Sequence, residues 1–383
     1  MPPLTTLRVY YFVSFAALAA YLPFFPRWLE ARGIQGLSMG LIAATFPAMG
    51  LVGPPCFGIV ADAFQLRGSI LRLACGGAFL AFSAIAAASL AGRPLGFGAL
   101  LMAVAVFSLF RSPMVMMADV VALEQVKDAG TTYPRVRLWG SIGFLLTAVA
   151  VGRFVDPTEL APVPVAIAGG LFVALAASFA LKARGVLPPR PVPGHVRALL
   201  EARDFRLFLA ASFLGQSAQS AFDLCYSLHL RDLGASGPIV GVAWAIGVVA
   251  EVALMAWGGP LLARTTPPRL LALAFAAAAA RWSLVAVVRS PAGQLALQPL
   301  HGLSFGLMWV ASLAYTKGRA SPHILATAQG LFTASTAAGS VAGMLTWGVL
   351  YRRAGGAATF GTAAAMSACA ATCAAFFART ARE

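Results

Sequence analysis

The chain has 383 residues, of which 60% are hydrophobic and only 11% are charged. A soluble domain is nearer about 45–50% apolar and about 25% charged, so the composition excludes a soluble enzyme and predicts a polytopic membrane protein. The formal net charge of +15 is also found in nucleic-acid-binding proteins, but the distribution of the basic residues described below excludes that class.

Apolar windows of roughly 20 residues, the length that crosses about 30 Å of hydrocarbon, recur along the chain. Each is expected to be a helix, because a helix satisfies its own backbone hydrogen bonds in lipid. The first window continues through Tyr21 and Trp28, so we expect a retained helix and not a cleaved signal peptide. The twelve predicted windows are 8–28, 37–61, 70–91, 96–120, 138–155, 163–181, 205–229, 239–262, 270–288, 295–314, 325–350 and 357–378.

The basic residues predict the orientation of the windows. If the N-terminus is cytoplasmic, eighteen of the 28 lysines and arginines fall in cytoplasmic segments, eight fall outside, and Arg111 and Arg281 lie within windows. This bias follows the positive-inside rule. The sequence therefore predicts a multi-pass protein of the inner membrane with both termini cytoplasmic, and its charge indicates orientation, with no nucleic-acid partner.

One polar segment, residues 181–207, divides the chain into two halves of six windows. It carries four prolines, which predict a stiff and extended start, followed by a short basic amphipathic helix on the anionic membrane surface. We predict an N-terminal six-helix bundle over 1–182, a cytoplasmic loop over 183–204 and a C-terminal bundle over 205–383. Two such halves are typical of a duplicated transporter with its solute site near the midplane.

Several chemistries have no sequence support. The five cysteines all fall inside apolar windows, which argues against disulfides, and Cys369 and Cys373, one turn apart, have no histidine or acid nearby to complete a metal site. A phosphate-binding loop and a nucleophile elbow are both missing from the sequence. The sequence therefore predicts no enzyme, no metal and no cofactor.

Ionisable residues within windows are the sharpest functional signal, because a charge at the midplane costs roughly 2.5–3.5 kcal/mol on insertion scales. The candidates for proton coupling are Glu251, Asp223 and His301. For Glu251 two interpretations stay open: the carboxylate cycles a proton, or it forms a structural pair with Arg281 of the next window. Arg111 could grip a substrate carboxylate, or it could pair with Asp119.

Polar and aromatic residues at helical spacing predict the side chains that line the solute cavity. The seventh window places Gln216, Gln219, Ser220 and Asp223 on one face. Serines and threonines on such faces also stabilise helix contacts by hydrogen bonding. That is the alternative role for the polar stripe of the eleventh window, which includes Thr333, Thr336 and Ser340. The predicted cavity residues are Tyr21, Arg111, Gln216, Gln219, Trp244, Arg281, Gln298, Phe305, Gln329 and Thr333.

A family resemblance rests on several stretches. Gly58-x-x-x-Asp62 followed by Arg67 resembles the major facilitator superfamily signature between the second and third helices, although Ala63 stands where the pattern has arginine. Within that superfamily the chain resembles the phenylpropionate permease-like branch, related to lactose permease and nucleoside–proton symporters. The stretches that carry this likeness are LPFFPRWLEARG (22–33), YPRVRLWGSIGF (133–144), WAIGVVAEV (244–252), ARWSL (280–284) and LQPLHGLSFGLMW (297–309).

The resemblance implies an all-α integral membrane protein with twelve transmembrane helices in two bundles, taking up a small solute with protons. An aromatic carboxylate such as phenylpropionate is the expected solute. A proton-coupled drug exporter and a sugar or nucleoside symporter stay open as alternatives. The expected partners are the solute, protons and lipid, and the expected state is a monomer. The resemblance also implies a cytoplasmic gate, for which the candidates are Gly58, Asp62, Arg67, Arg135 and Arg137.

Overall fold

A computed structural model describes residues 3–64, 66–93, 95–127, 131–155, 160–181, 199–320 and 324–380. The described residues form helices joined by short turns and contain no strand. Most of the predicted loop 183–204, including its proline-rich start, lies outside the described residues.

The first six helices match the first six predicted windows. Proline stands in the first turn of α5 and of α6, where its missing N–H is not needed. Prolines also occur inside α1, α2 and α4. The helices are α1 Pro3–Glu30, α2 Leu37–Ala63, α3 Arg67–Leu90, α4 Phe97–Lys127, α5 Tyr133–Phe154 and α6 Pro162–Phe179.

The second half contains an interrupted segment and a bent one. The tenth window is divided into a short helix, a π-helical turn at Gly302–Gly306, and a longer helix. The eleventh and twelfth windows form one helix bent at Gly355, whose φ of 73° is readily adopted only by glycine. The helices are α7 Arg203–Asp232, α8 Gly237–Arg264, α9 Pro267–Val287, α10 Pro291–Ala296, α11 Leu307–Arg319 and α12 Leu325–Thr380.

The predicted windows therefore coincide with helices of the structure, except that the tenth is interrupted between Ala296 and Leu307. Among the described residues, nine helices are long and apolar enough to cross a membrane, with the bent α12 counted once. Two further segments fall outside that set. The helix α7 is 30 residues long but carries a polar face, and the tenth segment is interrupted, so neither is an unbroken apolar helix.

The chain divides into two compact units. The first unit comprises Met1–Leu187 and Ala235–Ala245, and the second comprises Pro188–Gly234 and Ile246–Glu383. In the first unit α1 packs on α4, α5 and α6, and α3 and α2 pack on α4. In the second unit α12 packs on α7 and α9, and α9 packs on α11 and on the π-helical turn. The start of α8 thus groups with the first unit, and the bundle boundaries at 182 and 205 stay a prediction.

Candidate functional site

The second unit brings three predicted residues together in one chain of contacts. Arg281 of α9 places its Nη1 atom 2.9 Å from Nδ1 of His301. On the other side of the ring, His301 Nε2 lies 3.8 Å from Oε2 of Glu251 in α8. His301 therefore stands between the carboxylate and the guanidinium, which the sequence predicted as neighbours on consecutive helices.

Arg281 contacts four side chains through two of its nitrogens and its ring-facing surfaces, while its buried Nε atom has no hydrogen-bond partner among the described residues. The side chain is fully buried, and its guanidinium lies 4.7 Å from the centre of the Phe222 ring and 4.3 Å from that of Trp282. Its Nη2 atom donates to Oε1 of Gln298 at 3.1 Å. Guanidinium groups stack on aromatic faces while they donate in their own plane, so these contacts fix both the position and the direction of Arg281.

His301 lies at the start of the π-helical turn, between aromatic rings. The ring stacks on Phe222 at 5.4 Å and on Phe305 at 5.1 Å. After it, Gly302 packs so closely on α8 that an added Cβ atom would lie 2.6 Å from the carbonyl oxygen of Ala250. Because π-helical turns are rare and are often found at functional sites, this geometry supports a role for His301.

A hydrogen-bond network behind Arg281 involves residues that the sequence did not single out. Gln298 donates from Nε2 to the Tyr226 hydroxyl and, at 3.0 Å, to the carbonyl oxygen of Gln294. Gln294 in turn donates to the carbonyl oxygens of Val285 and Val288 at the end of α9, at 3.0 and 2.9 Å. Gln298 is fully buried with both ends of its amide bonded, so it is held against Arg281, and its place in the solute cavity stays a prediction. Tyr226 follows Asp223 by three residues, a spacing that would have placed it on the same face.

The polar face of α7 lies beside this cluster. Asp223 is half-buried, accepts a hydrogen bond from Nε2 of Gln219 at 3.4 Å, and lies within electrostatic range of Arg281. Gln216, one turn before Gln219, is buried, and its Oε1 atom has no hydrogen-bond partner among the described residues. This acceptor is available to a ligand that donates a hydrogen bond.

Two predicted cavity residues of α12 have weaker support. Gln329 is half-buried and Thr333 is exposed. The carbonyl oxygen of Thr333 accepts a hydrogen bond from the Thr336 hydroxyl at 2.9 Å. This bond is local to one helix, so the place of Gln329 and Thr333 in the cavity stays a prediction.

The first unit has its own buried cation. Arg111 of α4 is buried and donates from Nη2 to the carbonyl oxygen of Ser14 at 3.4 Å. Tyr10 and Cys75 lie within electrostatic range of it, and their side chains contact each other at 3.4 Å. This single long hydrogen bond is the one that Arg111 makes to the described residues, so most of its donors are not used.

Asp119, the alternative partner predicted for Arg111, is bound elsewhere. It accepts a hydrogen bond from the Tyr11 hydroxyl at 2.6 Å and another from Tyr133. Arg137 lies within electrostatic range of both Asp119 and Arg111. Arg137, which the resemblance placed in a cytoplasmic gate, is therefore also part of the buried cluster of the first unit.

Aromatic rings surround Tyr21 in the first unit. Tyr21 stacks on Phe25 at 4.9 Å and on Phe46 at 5.6 Å, and its ring centre lies 5.3 Å from that of Phe107. Trp244 groups with the same unit through Phe144, at 6.3 Å. Trp244 and Glu251, which were predicted as a cavity residue and a proton-coupling residue of the same window, thus belong to different units.

The predicted gate residues are described only in part. Gly58 lies in α2, where an added Cβ atom would make only an ordinary contact. The side chains of Asp62 and Arg67 lie outside the described ones. Arg135 is exposed, and Arg137 stacks on Phe15 at 4.0 Å. The gate stays a prediction.

Another charged contact in the second unit lies outside the predicted spans. Asp204 accepts hydrogen bonds from Arg319 Nε at 2.7 Å and from the Tyr315 hydroxyl at 2.9 Å. Burial acts to raise the pKa of Asp204, but these hydrogen bonds and the charge of Arg319 together hold that pKa below its ordinary value. The three residues line a cavity of about 310 Å³, which none of the predicted site residues lines. The described residues contain no group of three His, Cys, Asp or Glu able to hold a metal ion.

Known proteins resemble the chain over nearly its whole length. The profile of the MFS_1-like family matches residues 4–362. A maltose permease of Geobacillus stearothermophilus is 31% identical over 86% of this chain and 83% of its own. The "probable 3-phenylpropionic acid transporter" of Escherichia coli (strain K12) is 27% identical over 89% of each chain.

Solved structures show the same fold. The crystal structure of the nucleoside transporter NupG superposes with a TM-score of 0.84 at 16% identity, over 98% of this chain and 99% of that one. An identity this low shows the fold alone. The predicted all-α fold of twelve transmembrane helices in two six-helix bundles is thereby confirmed.

Proposed function

We propose, from the premise that this chain belongs to the MFS_1-like family of multi-pass secondary transporters, that it is a proton-coupled symporter importing a small organic acid such as an aromatic carboxylate. One observation carries the proposal: the described buried clusters of the two units have opposite charge balance. The second unit holds Asp223 and Glu251 against Arg281, and the first holds Arg111 and Arg137 against Asp119. The excess carboxylate of the second unit would be neutralised by a transported proton. The excess guanidinium of the first unit would be neutralised by the carboxylate of the solute.

The contacts of His301 indicate where the proton binds. A guanidinium only donates hydrogen bonds, so His301 Nδ1, 2.9 Å from Arg281, has to be the unprotonated acceptor. The ring proton then lies on Nε2, which faces Glu251. A second proton on His301 would place an N–H group against Arg281. Glu251 is therefore the group that takes up the transported proton.

Protonation of Glu251 changes which interactions stabilise its carboxyl group in the cluster. The ionised carboxylate is stabilised by the Nε2–H group of His301 and by the charge of Arg281, whereas a protonated carboxyl group needs neither. A neutral cluster costs less to reorganise in a low-dielectric environment than a charged one. Proton uptake at Glu251 thus loosens its contact with His301 and permits the conformational step.

The surroundings of Arg111 favour an aromatic acid. Arginine grips carboxylates through two parallel hydrogen bonds, and Arg111 uses one of its donors in bonds to the described residues. Phe107 lies one helical turn, about 5.4 Å, from Arg111 on α4, and it contacts Tyr21. A ligand whose carboxylate and ring are separated by a short chain, like the phenylpropionate named for the E. coli relative, spans that distance.

A sugar–proton symporter is the second candidate. The unpaired Oε1 atom of Gln216 would suit a hydroxyl donor, and one relative is named a maltose permease. Under this alternative Arg111 would have a structural role only, and removing its charge would leave affinity for the solute unchanged.

Symport of one carboxylate with one proton moves no net charge, which makes the proposal sharply testable. Proteoliposomes containing the wild type, Glu251→Gln or the control Asp204→Asn would receive 3-phenylpropionate while internal pH is recorded. We expect solute-evoked acidification in the wild type and the control, driven by a pH gradient and insensitive to membrane potential. We expect Glu251→Gln to lose proton flux but to keep solute exchange.

Other outcomes would separate the parts of the proposal. Equal proton flux in wild type and Glu251→Gln would refute the coupling role of that carboxylate. Flux with maltose and none with the acid would replace the first candidate by the second.

We also propose that both termini face the cytoplasm and that the carrier acts as a monomer. Labelling of single cysteines introduced at residues 5 and 354 would test the orientation.

A further inference from the structure

Four arginines gather at one end of the second unit, the end proposed to face outward. Arg231 bonds Asp232 through Nε at 3.0 Å, and the Tyr351 hydroxyl donates to the same carboxylate at 2.6 Å. Arg352 and Arg353 follow Tyr351 directly. The fourth arginine, at position 289, and Asp232 both lie within electrostatic range of the His229 ring, which places all four arginines in one neighbourhood.

The charges of this group do not cancel. Asp232 is its one described acid, and Arg231 and Tyr351 already bind it. Arg289, Arg352 and Arg353 are exposed and make no ion pair with the described residues. They therefore do not serve the packing of the unit.

The position of these arginines opposes the usual topology signal. Short external loops are ordinarily poor in lysine and arginine, because such residues favour the cytoplasmic side. Four arginines at the proposed outer end therefore weaken the signal that orients the chain. Because these arginines weaken the orientation signal, we expect the positive field at this surface to have a function.

We infer that Arg231, Arg289, Arg352 and Arg353 form an outer arginine patch that concentrates anionic solutes from the medium ahead of the transport site. The inference rests on the proposed uptake of a carboxylate and on the proposed orientation. Clustered charge of one sign raises the local concentration and association rate of opposite charges, and salt weakens the effect. The partner that fits this surface is a dissolved organic anion.

The potential of the patch can be measured without any transport. Ala354 is exposed and directly follows Arg353, so Ala354→Cys provides a reporter thiol. Its reaction rates with an anionic and a cationic methanethiosulfonate of similar size would be compared in liposomes of zwitterionic lipid. The same protein without the reporter supplies the background from Cys56 and Cys369, which are exposed.

We expect the anionic reagent to be favoured at low salt, and the triple variant R289Q/R352Q/R353Q to lower that preference by roughly tenfold. At 0.5 M salt the two proteins should converge, since the screening length falls to a few ångströms (about 3 Å at 1 M). Equal preference in both proteins at low salt would overturn the inference. Loss of the preference whenever anionic lipid is added would also overturn the inference, because lipid headgroups would then occupy the patch in place of a dissolved anion.

Uptake kinetics test the use of the patch. In right-side-out vesicles at low salt the triple variant should raise KM for 3-phenylpropionate roughly threefold and leave the maximal rate unchanged. The control R203Q/R206Q/R269Q removes the same charge from exposed arginines at the opposite end of the second unit, and should leave KM as it is. An unchanged KM in the triple variant would overturn the inference even if uptake proceeds. If the wild type takes up no acid at all, the proposed function fails, and the thiol rates still decide whether the patch exists.

Discussion

The buried cluster of the second unit holds its guanidinium tightly, whereas that of the first unit leaves its guanidinium largely unused. Arg281 donates to His301 and Gln298 and stacks on two rings. Arg111 makes one long hydrogen bond, to the carbonyl oxygen of Ser14, within the described part of the chain. Both side chains are buried, since Arg111 is 4% exposed and Arg281 is 0% exposed. Burial alone therefore does not define their roles.

The neighbours of a buried charge are thus a guide to its use. Arg281 has hydrogen-bond and aromatic partners within the described residues, so we propose that it holds His301 in one tautomer and balances the carboxylates. Arg111 has no such partner set among the described residues, so we propose that a ligand supplies one. The same residue type thus has a proposed positioning role in one unit and a proposed binding role in the other.

Identical substitutions in the two units should break this comparison most clearly. Arg281→Gln leaves Asp223 and Glu251 without their cation, and we expect a loss of about 3–5 kcal/mol in the free energy of unfolding. Arg111→Gln removes an excess charge with one weak hydrogen bond, and should cost about 1 kcal/mol or less. Thermal or denaturant unfolding in detergent measures both. Adding Glu251→Gln to Arg281→Gln should restore part of the loss, and equal losses in the two single variants would contradict the comparison.

Arg111 should matter more for affinity than for stability. Arg111→Gln is expected to weaken binding of 3-phenylpropionate by roughly tenfold to 100-fold, since a hydrogen bond to a charged group contributes about 1.5–3 kcal/mol. Binding of the neutral amide of the same acid should change little. Isothermal titration on purified protein would compare the two ligands. If both ligands weakened alike, the guanidinium would be shaping the site and not gripping the carboxylate.

The close approach of α8 to the π-helical turn should tolerate no added methyl group. In Gly302→Ala the new Cβ would lie 2.6 Å from the carbonyl oxygen of Ala250, and overpacking of this kind costs about 1–3 kcal/mol. Gly361 in α12 has nothing within 4 Å of the same point, so Gly361→Ala is the matched control. Unfolding and proton flux should both suffer in the first variant and neither in the second. An intact Gly302→Ala carrier would show that the packing is looser than the structure indicates.

The bridging role of His301 predicts which replacement survives. Glutamine can accept from Arg281 with its oxygen and donate toward Glu251 with its nitrogen, whereas phenylalanine can do neither. We expect His301→Gln to keep coupled flux within about threefold and His301→Phe to lose roughly tenfold or more, as for one lost buried hydrogen bond. Comparable loss in both variants would point instead to titration of the imidazole itself.

The smallest effect should come from the partly exposed Asp204 pair. Its pKa lies below the ordinary aspartate value of about 3.9, so the ionised carboxylate stabilises the fold above that pH, and the contribution is lost as pH falls through the lowered pKa. Asp204→Asn should remove about 0.2–1 kcal/mol at neutral pH and nothing at the acid end. Unfolding midpoints of both proteins between pH 3 and 7 would test this. A constant difference over that range would contradict the assignment.

Much of the architecture could be predicted without coordinates. The helices follow from uninterrupted apolar windows, and the candidate site residues stand out because a polar side chain in such a window is costly. The interrupted tenth segment was predicted as one window, because Pro299 and the glycines around it lie in an apolar run that shows no break. Tyr226 and Gln294 escaped notice for a similar reason, since a lone polar residue near a window end is ordinary.

That charged groups lie inside the membrane helices follows from the amino-acid order alone, because hydropathy is a local property and an ionisable residue among apolar neighbours is visible in one dimension. How these groups pair depends on the packing of the helices. His301 comes between Glu251 and Arg281 because α8, α9 and the π-helical turn meet there, and Gln298 is satisfied by Tyr226 from a helix far away in sequence. Hydrogen bonds act over about 3 Å, so partnership depends on packing between helices, which spacing along the chain does not specify.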